Sequence, residues 1–371
     1  MKYCTKCVMP STRPGITFNE QGVCAACQTY ENRKNVDYNK RFEELKQLCN
    51  KYQGMNGPNG YDCMVAVSGG KDSHFQTYVM KELMNMTPLL VSVDDNFTMT
   101  EPGRSNLHNI SDEFGCDLLV LHPNRKAFRY LMRKLFEKYL RPNWYWDRLV
   151  YTYPIQMAVK YGIELVVYGE DVGYEHSGLT EEETYSARNQ INNGVAPEIP
   201  IEELLDENIT LNDLRMAYDI SQEHIDKIDP IFLGYFFKWS SIENYKFAKR
   251  RGFKDLTGYW RRTHCIEDYT QVDSFGYHVH SWLKYPKYGE GLATDHACRY
   301  IGYGDLTREE AIKLVKKHDH DLDPKCLQDF LEFTGYSVTE FYNILEKFYN
   351  KNIFYKDKYG NWNLKKEIGS F

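Results

Sequence analysis

The chain has 371 residues, enough for about two or three domains with cores of their own. It carries 46 Lys and Arg against 52 Asp and Glu, and a net charge of -6 argues against a general nucleic-acid binder. The opening "MKYCTKCVMP" lacks the apolar core of a signal peptide, and the apolar run "IFLGYFF" at 231–237 is far too short to span a bilayer. The expectation is a soluble cytoplasmic protein that binds neither nucleic acid nor membrane, and in such a protein ten cysteines point to metal or catalysis before disulfides.

In chain order, a small cysteine-bearing module (1–35) comes first. A helix follows over about 39–52, with Phe42, Leu45, Leu48 and Tyr52 on one face. "GMNGPNG" at 54–60 breaks it as a linker. Strand-like runs at 63–67, 89–93, 118–121 and 165–168 then alternate with helical stretches near 72–86, 101–114 and 125–161. Strands separated by helix-length segments predict βαβ units and a parallel sheet over 36–180. After about Gly178 the alternation stops. "TLND" (210–213), "TREE" (307–310) and "SVTE" (337–340) match the capping box, so 181–371 reads as mostly helical. A short hairpin is expected around "YGN" (359–361).

Cys4-x2-Cys7 and Cys24-x2-Cys27 form two pairs. Each pair places two thiolates on one knuckle, and two knuckles complete a tetrahedral sulfur site. Four protein ligands leave no open position, which predicts a structural zinc; iron–sulfur clusters usually space their cysteines differently.

The apolar run ending at Val67 delivers Ser68-Gly69-Gly70-Lys71-Asp72-Ser73 to a helix start. Glycines let the backbone approach a phosphate, and the unpartnered N–H groups and dipole of the helix favour an anion. No Walker pattern is present. A second segment, "VVYGEDVGYEHSG" (166–178), ends a later strand on the ligand-facing edge of an open α/β sheet.

"SGGKDS" resembles the PP-loop of the ATP pyrophosphatase superfamily, whose members include asparagine, argininosuccinate and GMP synthetases and several tRNA-modifying enzymes. The resemblance implies an adenine nucleotide alpha hydrolase-like domain in which Ser68, Gly69, Gly70, Lys71, Asp72 and Ser73 hold ATP, with Mg compensating the triphosphate. Lys71 and Asp72 would also serve catalysis. Asp94, in "LLVSVDDNF", would contact the adenosine. "YGED" is similar to a segment of the asparagine synthetase domain; carried across, Gly169 binds nucleotide and Glu170 positions the activated substrate or takes a proton from ammonia. Asp171 and Glu175 match that pattern less well.

Across nearly the whole chain the sequence resembles the N-acetyl sugar amidotransferase family. The resemblance rests on "YCTKCVMPSTRPGI", the second Cys pair, "SGGKDS", "YGED" and "ATDHACRYI". It implies ATP-dependent conversion of a sugar's acetamido group to an acetamidino group in bacterial surface glycan pathways: lipopolysaccharide O-antigen, or flagellin sugars of the pseudaminic-acid type. The substrate would be an N-acetylated sugar or nucleotide sugar. No glutaminase signature occurs in the chain, so ammonia would come from a separate glutaminase subunit pair resembling imidazole glycerol phosphate synthase. A homo-oligomer is compatible with this reading. In the dense segment 268–311, Lys284 and Lys287 are candidates for a second phosphate contact, and Asp295 and His296 for sugar or proton-transfer roles.

The main rival is a tRNA-thiolating enzyme, which shares the loop and often carries zinc knuckles. Cys116, Cys265 or Cys298 would then be persulfide carriers, but isolated cysteines are more often buried small hydrophobes. A second rival is a non-enzymatic zinc-ribbon module with a degenerate ATPase domain, against which the intact hexapeptide weighs. "HDHDLD" (318–323) fails as an EF-hand, since the sixth and twelfth places from Asp319 hold Pro324 and Phe330; it reads as a polar turn between helices.

Overall fold

Short β-branched and leucine-rich runs bounded by turns fold as strands, and the amphipathic segments between them as covering helices. The computed structural model of the chain describes residues 1–170, 184–188, 199–218 and 221–370, so Asp171 and Glu175 lie outside the described residues. Helices α1 (Ala25–Asn32) and α2 (Tyr38–Tyr52) precede β1 (Cys63–Ala66), α3 (Lys71–Tyr78), β2 (Pro88–Val93), α4 (Glu101–Phe114) and β3 (Leu118–Leu121). Next come α5 (Arg125–Tyr139), α6 (Trp144–Tyr161) and β4 (Leu165–Tyr168). The single helical stretch expected over 125–161 is two helices. Leu140 adopts a left-handed φ of 52° and Pro142 follows, and together they end α5.

The later part holds α7 (Ile201–Leu204), α8 (Leu211–Tyr218), α9 (Gln222–Lys227), β5 (Asp229–Phe232), α10 (Leu233–Phe236) and α11 (Ser241–Arg250). Helices α12 (Tyr277–Trp282), α13 (Lys284–Tyr288), α14 (Leu292–Tyr303), α15 (Arg308–His318), α16 (Pro324–Thr334) and α17 (Val338–Glu346) follow. The tail is the expected hairpin, β6 (Phe354–Lys356) against β7 (Trp362–Leu364). Both-way capping boxes start α15 at Thr307 and Glu310, and α17 at Ser337 and Glu340. At α8 the amide and hydroxyl of Thr210 both donate to Asp213 Oδ2, at 2.9 and 2.7 Å.

The fold is α/β, with a five-stranded sheet in the order β3-β2-β1-β4-β5 and every pairing parallel. The alternation therefore does not stop at Gly178: β5, past residue 180, is the fifth strand. It escaped the pattern because "DPIF" carries a proline, which usually argues against a strand. Here β5 is an edge strand, where Pro230 is tolerated. Its outer side is covered by 185–187, with Phe232 N–H donating to Tyr185 O and Ala187 N–H to Pro230 O, both at 2.8 Å.

Both faces of the sheet are buried, as period-two alternation requires. Cys63, Val65, Leu165 and Val167 pack with Leu45 of α2, Met80 and Ile110 of α4. Met64, Leu89, Val91 and Val166 pack with Ile155 and Ala158 of α6. Each fully buried Val, Leu or Met contributes about 1.5–3 kcal/mol. Among the described residues no helix is long and apolar enough to cross a membrane.

Candidate active site and metal cluster

In this strand order the chain runs outward from β1 through β2 and β3, then returns to place β4 on the other side of β1. The β1/β4 seam is the switch point, where the loops leaving the strands' carboxyl ends part and leave a crevice. A cavity of about 480 Å³ opens there.

The loop after β1 forms its floor. Gly69 has φ +89°, and a Cβ there would lie 2.9 Å from the backbone of Leu107, so only glycine fits. Ser68 N–H donates to Ser73 Oγ at 2.9 Å, and Gly70 N–H to Ser68 Oγ at 3.2 Å, which closes the turn on itself. Lys71, 3% exposed, pairs with Asp72, whose other oxygen accepts from Asn244 Nδ2 at 2.8 Å. The loop after β4 supplies Gly169 and Glu170 to the same cavity. A Cβ on Gly169 would meet Gln76 Nε2 at 2.4 Å.

The opposite lining comes from distant segments. Lys284 begins α13 and pairs with Asp295 in the first turn of α14; Arg299 lies one turn further along. Arg13, from the cysteine module, donates to Asp295 Oδ1 at 2.7 Å and to the buried Glu290 at 3.0 Å. Burial holds the Glu290 carboxyl above the usual carboxylate range despite this guanidinium. Asp273 lines the cavity with its Oδ1 buried and without a hydrogen-bond partner, and burial pushes that carboxyl up to about 7. Burial pushes His280 down to about 3, so it faces the cavity uncharged. Trp146, Tyr151, Tyr168 and Tyr277 form the aromatic part of the wall.

Of the residues singled out from sequence, Ser68, Gly70, Lys71, Asp72, Ser73, Gly169, Glu170, Lys284 and Asp295 share this cavity. Gly69 shapes the loop from behind. Asp94 is not part of the lining; its carboxylate meets His122 Nδ1 at 2.6 Å and the Asn96 amide at 2.9 Å. Lys287 turns away and donates to Leu140 O at 3.2 Å, and His296 is buried 3.6 Å from Glu267. Sequence reasoning missed Arg13, Asp273, His280 and Arg299. Two signals were available: Arg13 lies in "STRPGI", and Arg299 is four residues after Asp295 on one helix face. Cys116, Cys265 and Cys298 are all buried and none lines the cavity, which removes support from the thiolase reading.

Cys4, Cys7, Cys24 and Cys27 converge so that their Sγ atoms lie within 4.8 Å of one another, all buried. The Cys4–Cys27 and Cys7–Cys24 separations are 4.0 and 3.7 Å. A zinc tetrahedron with Zn–S near 2.3 Å has edges of about 3.8 Å, so the set fits that ion. Amides of Lys6, Cys7 and Cys24 point at Cys4 Sγ at 3.4, 3.4 and 3.2 Å, as thiolate ligands require. The module docks on the C-terminal helices: Arg308 of α15 donates to Cys4 O and Cys7 O, and Ala297 and Cys298 of α14 pack beneath it.

Comparison with known proteins adds two findings. Residues 235–368 match a family described as LPS biosynthesis protein WbpG-like, C-terminal domain. An uncharacterized protein of Methanocaldococcus jannaschii is 22% identical over 317 residues, covering 85% of this chain and 93% of that protein.

Proposed function

We propose that this chain is the synthetase component of an ATP-dependent amidotransferase acting on an N-acetyl sugar in lipopolysaccharide or related surface-glycan biosynthesis. The observation that carries the reading is the meeting of "SGGKDS" and Gly169-Glu170 at the switch point, in one cavity with Lys284, Asp295 and Arg13. The match of 235–368 to an LPS-biosynthesis family supports the pathway class, and those residues supply Asp273, Lys284, Asp295 and Arg299.

An amide carbon resists ammonia until its oxygen becomes a leaving group. In the proposed reaction the acetamido oxygen bonds to the α-phosphorus of ATP and pyrophosphate departs. Ammonia then bonds to the activated carbon, loses a proton, and AMP leaves with the oxygen. Lys71 and the loop N–H groups would hold the β and γ phosphates and stabilise the charge that develops on them. Magnesium would supply charge neutralisation for the triphosphate; Asp273, with its unpartnered buried oxygen, and Asp72 would be the carboxylates to hold it. Glu170 would orient the activated group and take the proton of incoming ammonia. Lys284 and Arg299 would bind phosphate or sugar oxygens, with Asp295 fixing the Lys284 ammonium. The aromatic wall offers apolar ring faces for a base or a sugar. Ammonia would be delivered by separate glutaminase subunits.

The test incubates the protein with ATP, ammonium and candidate N-acetylated nucleotide sugars. The expected result is sugar-dependent release of AMP and pyrophosphate, and a product whose mass reflects replacement of oxygen by NH. Lys71→Ala is expected to lose about 10²–10³-fold or more in turnover with fold and metal content unchanged. A fully active Lys71→Ala protein, or no sugar-dependent pyrophosphate release, overturns the reading.

A further inference from the structure

Away from the cysteine module, five ligand-type side chains are buried together behind the cavity wall. His264, Cys265 and His278 bring ligand atoms within 4.8 Å of one another, and so do His264, Asp323 and Cys326. None of the five exceeds 5% exposure. His264 belongs to both groups, and its hydrogen bonding shows which nitrogen is committed. His278 Nε2 lies 2.8 Å from the acceptor-only Gln271 O and 3.3 Å from Arg262 Nη1, whose hydrogens are taken by Thr270 O and Gln271 O, so the proton is assigned to Nε2. His278 Nδ1 is then the lone pair that accepts from His264 Nε2 at 3.0 Å. This leaves His264 Nδ1 as a bare lone pair, buried and without a hydrogen-bond partner.

A buried lone pair beside a thiol and a carboxylate is the arrangement a metal ion satisfies, and a ligating histidine usually has its second nitrogen fixed by hydrogen bonding in this way. Asp323 keeps acceptor capacity for an ion. Its two oxygens take one amide each, from Lys325 at 2.9 Å and Thr263 at 3.1 Å. The neighbouring positive charge is already committed, since Arg262 donates to the carbonyls of Thr270, Gln271 and Glu267.

We propose that His264, Asp323 and Cys326 form a second metal centre that holds zinc. Nitrogen, oxygen and sulfur donors together suit zinc; the three side chains are buried and none lines the cavity, which makes the centre structural. It ties the loop 261–276 to the first turn of α16. That loop supplies Tyr269, Thr270, Gln271 and Asp273 to the cavity, so the ion braces one wall of the candidate active site.

Metal analysis of the full-length protein, equilibrated with zinc and freed of loose ions, is expected to give about two zinc ions per chain. Cys326→Ser and His264→Gln are each expected to remove one of them. X-ray absorption at the zinc edge of the unmodified protein needs no variant. It is expected to show nitrogen or oxygen neighbours at about 2.0–2.2 Å beside sulfur at about 2.3 Å. One zinc or fewer per chain overturns the proposal, as does an all-sulfur shell. A folded Cys326→Ser protein that keeps both ions overturns it equally.

Discussion

The sheet side of the cavity and the side built by the C-terminal helices differ in how their polar groups are assembled. On the sheet side, one hexapeptide and one dipeptide follow directly from strand ends, and the backbone turn does most of the positioning. On the helical side, Arg13, Asp273, Lys284, Asp295 and Arg299 come from segments as far as 286 residues apart in the chain. Arg13, Lys284 and Asp295 are held by largely buried ion pairs with one another and with Glu290. The first wall is preorganised by local backbone geometry and the second by charge pairing in a low dielectric. Damage to the first should therefore stay local, whereas damage to the second should spread into global stability.

The strongest way to break this comparison is Arg13→Ala. It leaves Glu290 buried without its cation and deprives Asp295 of one partner, so a loss of about 3–5 kcal/mol is expected in denaturant unfolding. A loss below that of an ordinary surface substitution would show that the helical wall does not depend on its ion pairs.

A pH experiment probes the same wall. Burial pushes the Asp147 carboxyl up to about 7, beside His280 at 3.9 Å. The folded protein keeps that proton while the unfolded chain releases it near the ordinary value of 3.8. The fold thus binds the extra proton between those limits, and this group makes stability fall as pH rises through that window. Asp147→Asn is expected to stabilise the protein by up to about 4 kcal/mol at pH 8 and by little at pH 4. Thermal unfolding of both proteins at the two pH values measures it; an equal effect at both would remove the buried-carboxyl explanation.

For the sheet wall, Gly69→Ala forces a left-handed φ on alanine and pushes Cβ into the Leu107 backbone. About 1–3 kcal/mol of stability should go, with turnover falling further than stability because the turn itself is displaced. Thr307→Ala is the smallest effect and the control. It removes the cap of α15 and should cost about 1 kcal/mol in thermal unfolding without touching turnover. If turnover fell as well, the contacts of α15 with the cysteine module would reach the cavity.

The parts legible in the sequence are those whose cause is short-range. The strands 118–121 and 165–168 appeared at their observed limits, and α4 did so at 101–114, because apolar periodicity and caps act within a few residues. The cysteine pairs announced the four-thiol cluster by spacing, and the two glycines announced the tight turn between β1 and α3. Strand β5 was hidden because its proline is harmless only at a sheet edge, and edge position is a property of the assembled sheet. Asp94 looked like a site residue from its strand end, yet its local partners His122 and Asn96 occupy it.

By itself, then, the sequence determined the parallel βαβ core, the tight glycine turn after β1 and the four-thiol cluster, since each follows from hydrogen bonding, spacing and periodicity inside short segments. Only the tertiary structure decided that the cysteine module docks on α14 and α15, that Arg13 reaches Asp295, and that His264 meets Cys326. Those contacts join residues far apart in the chain. They form because buried charges and lone pairs must find partners, and which partner each finds depends on how the helices close over the sheet.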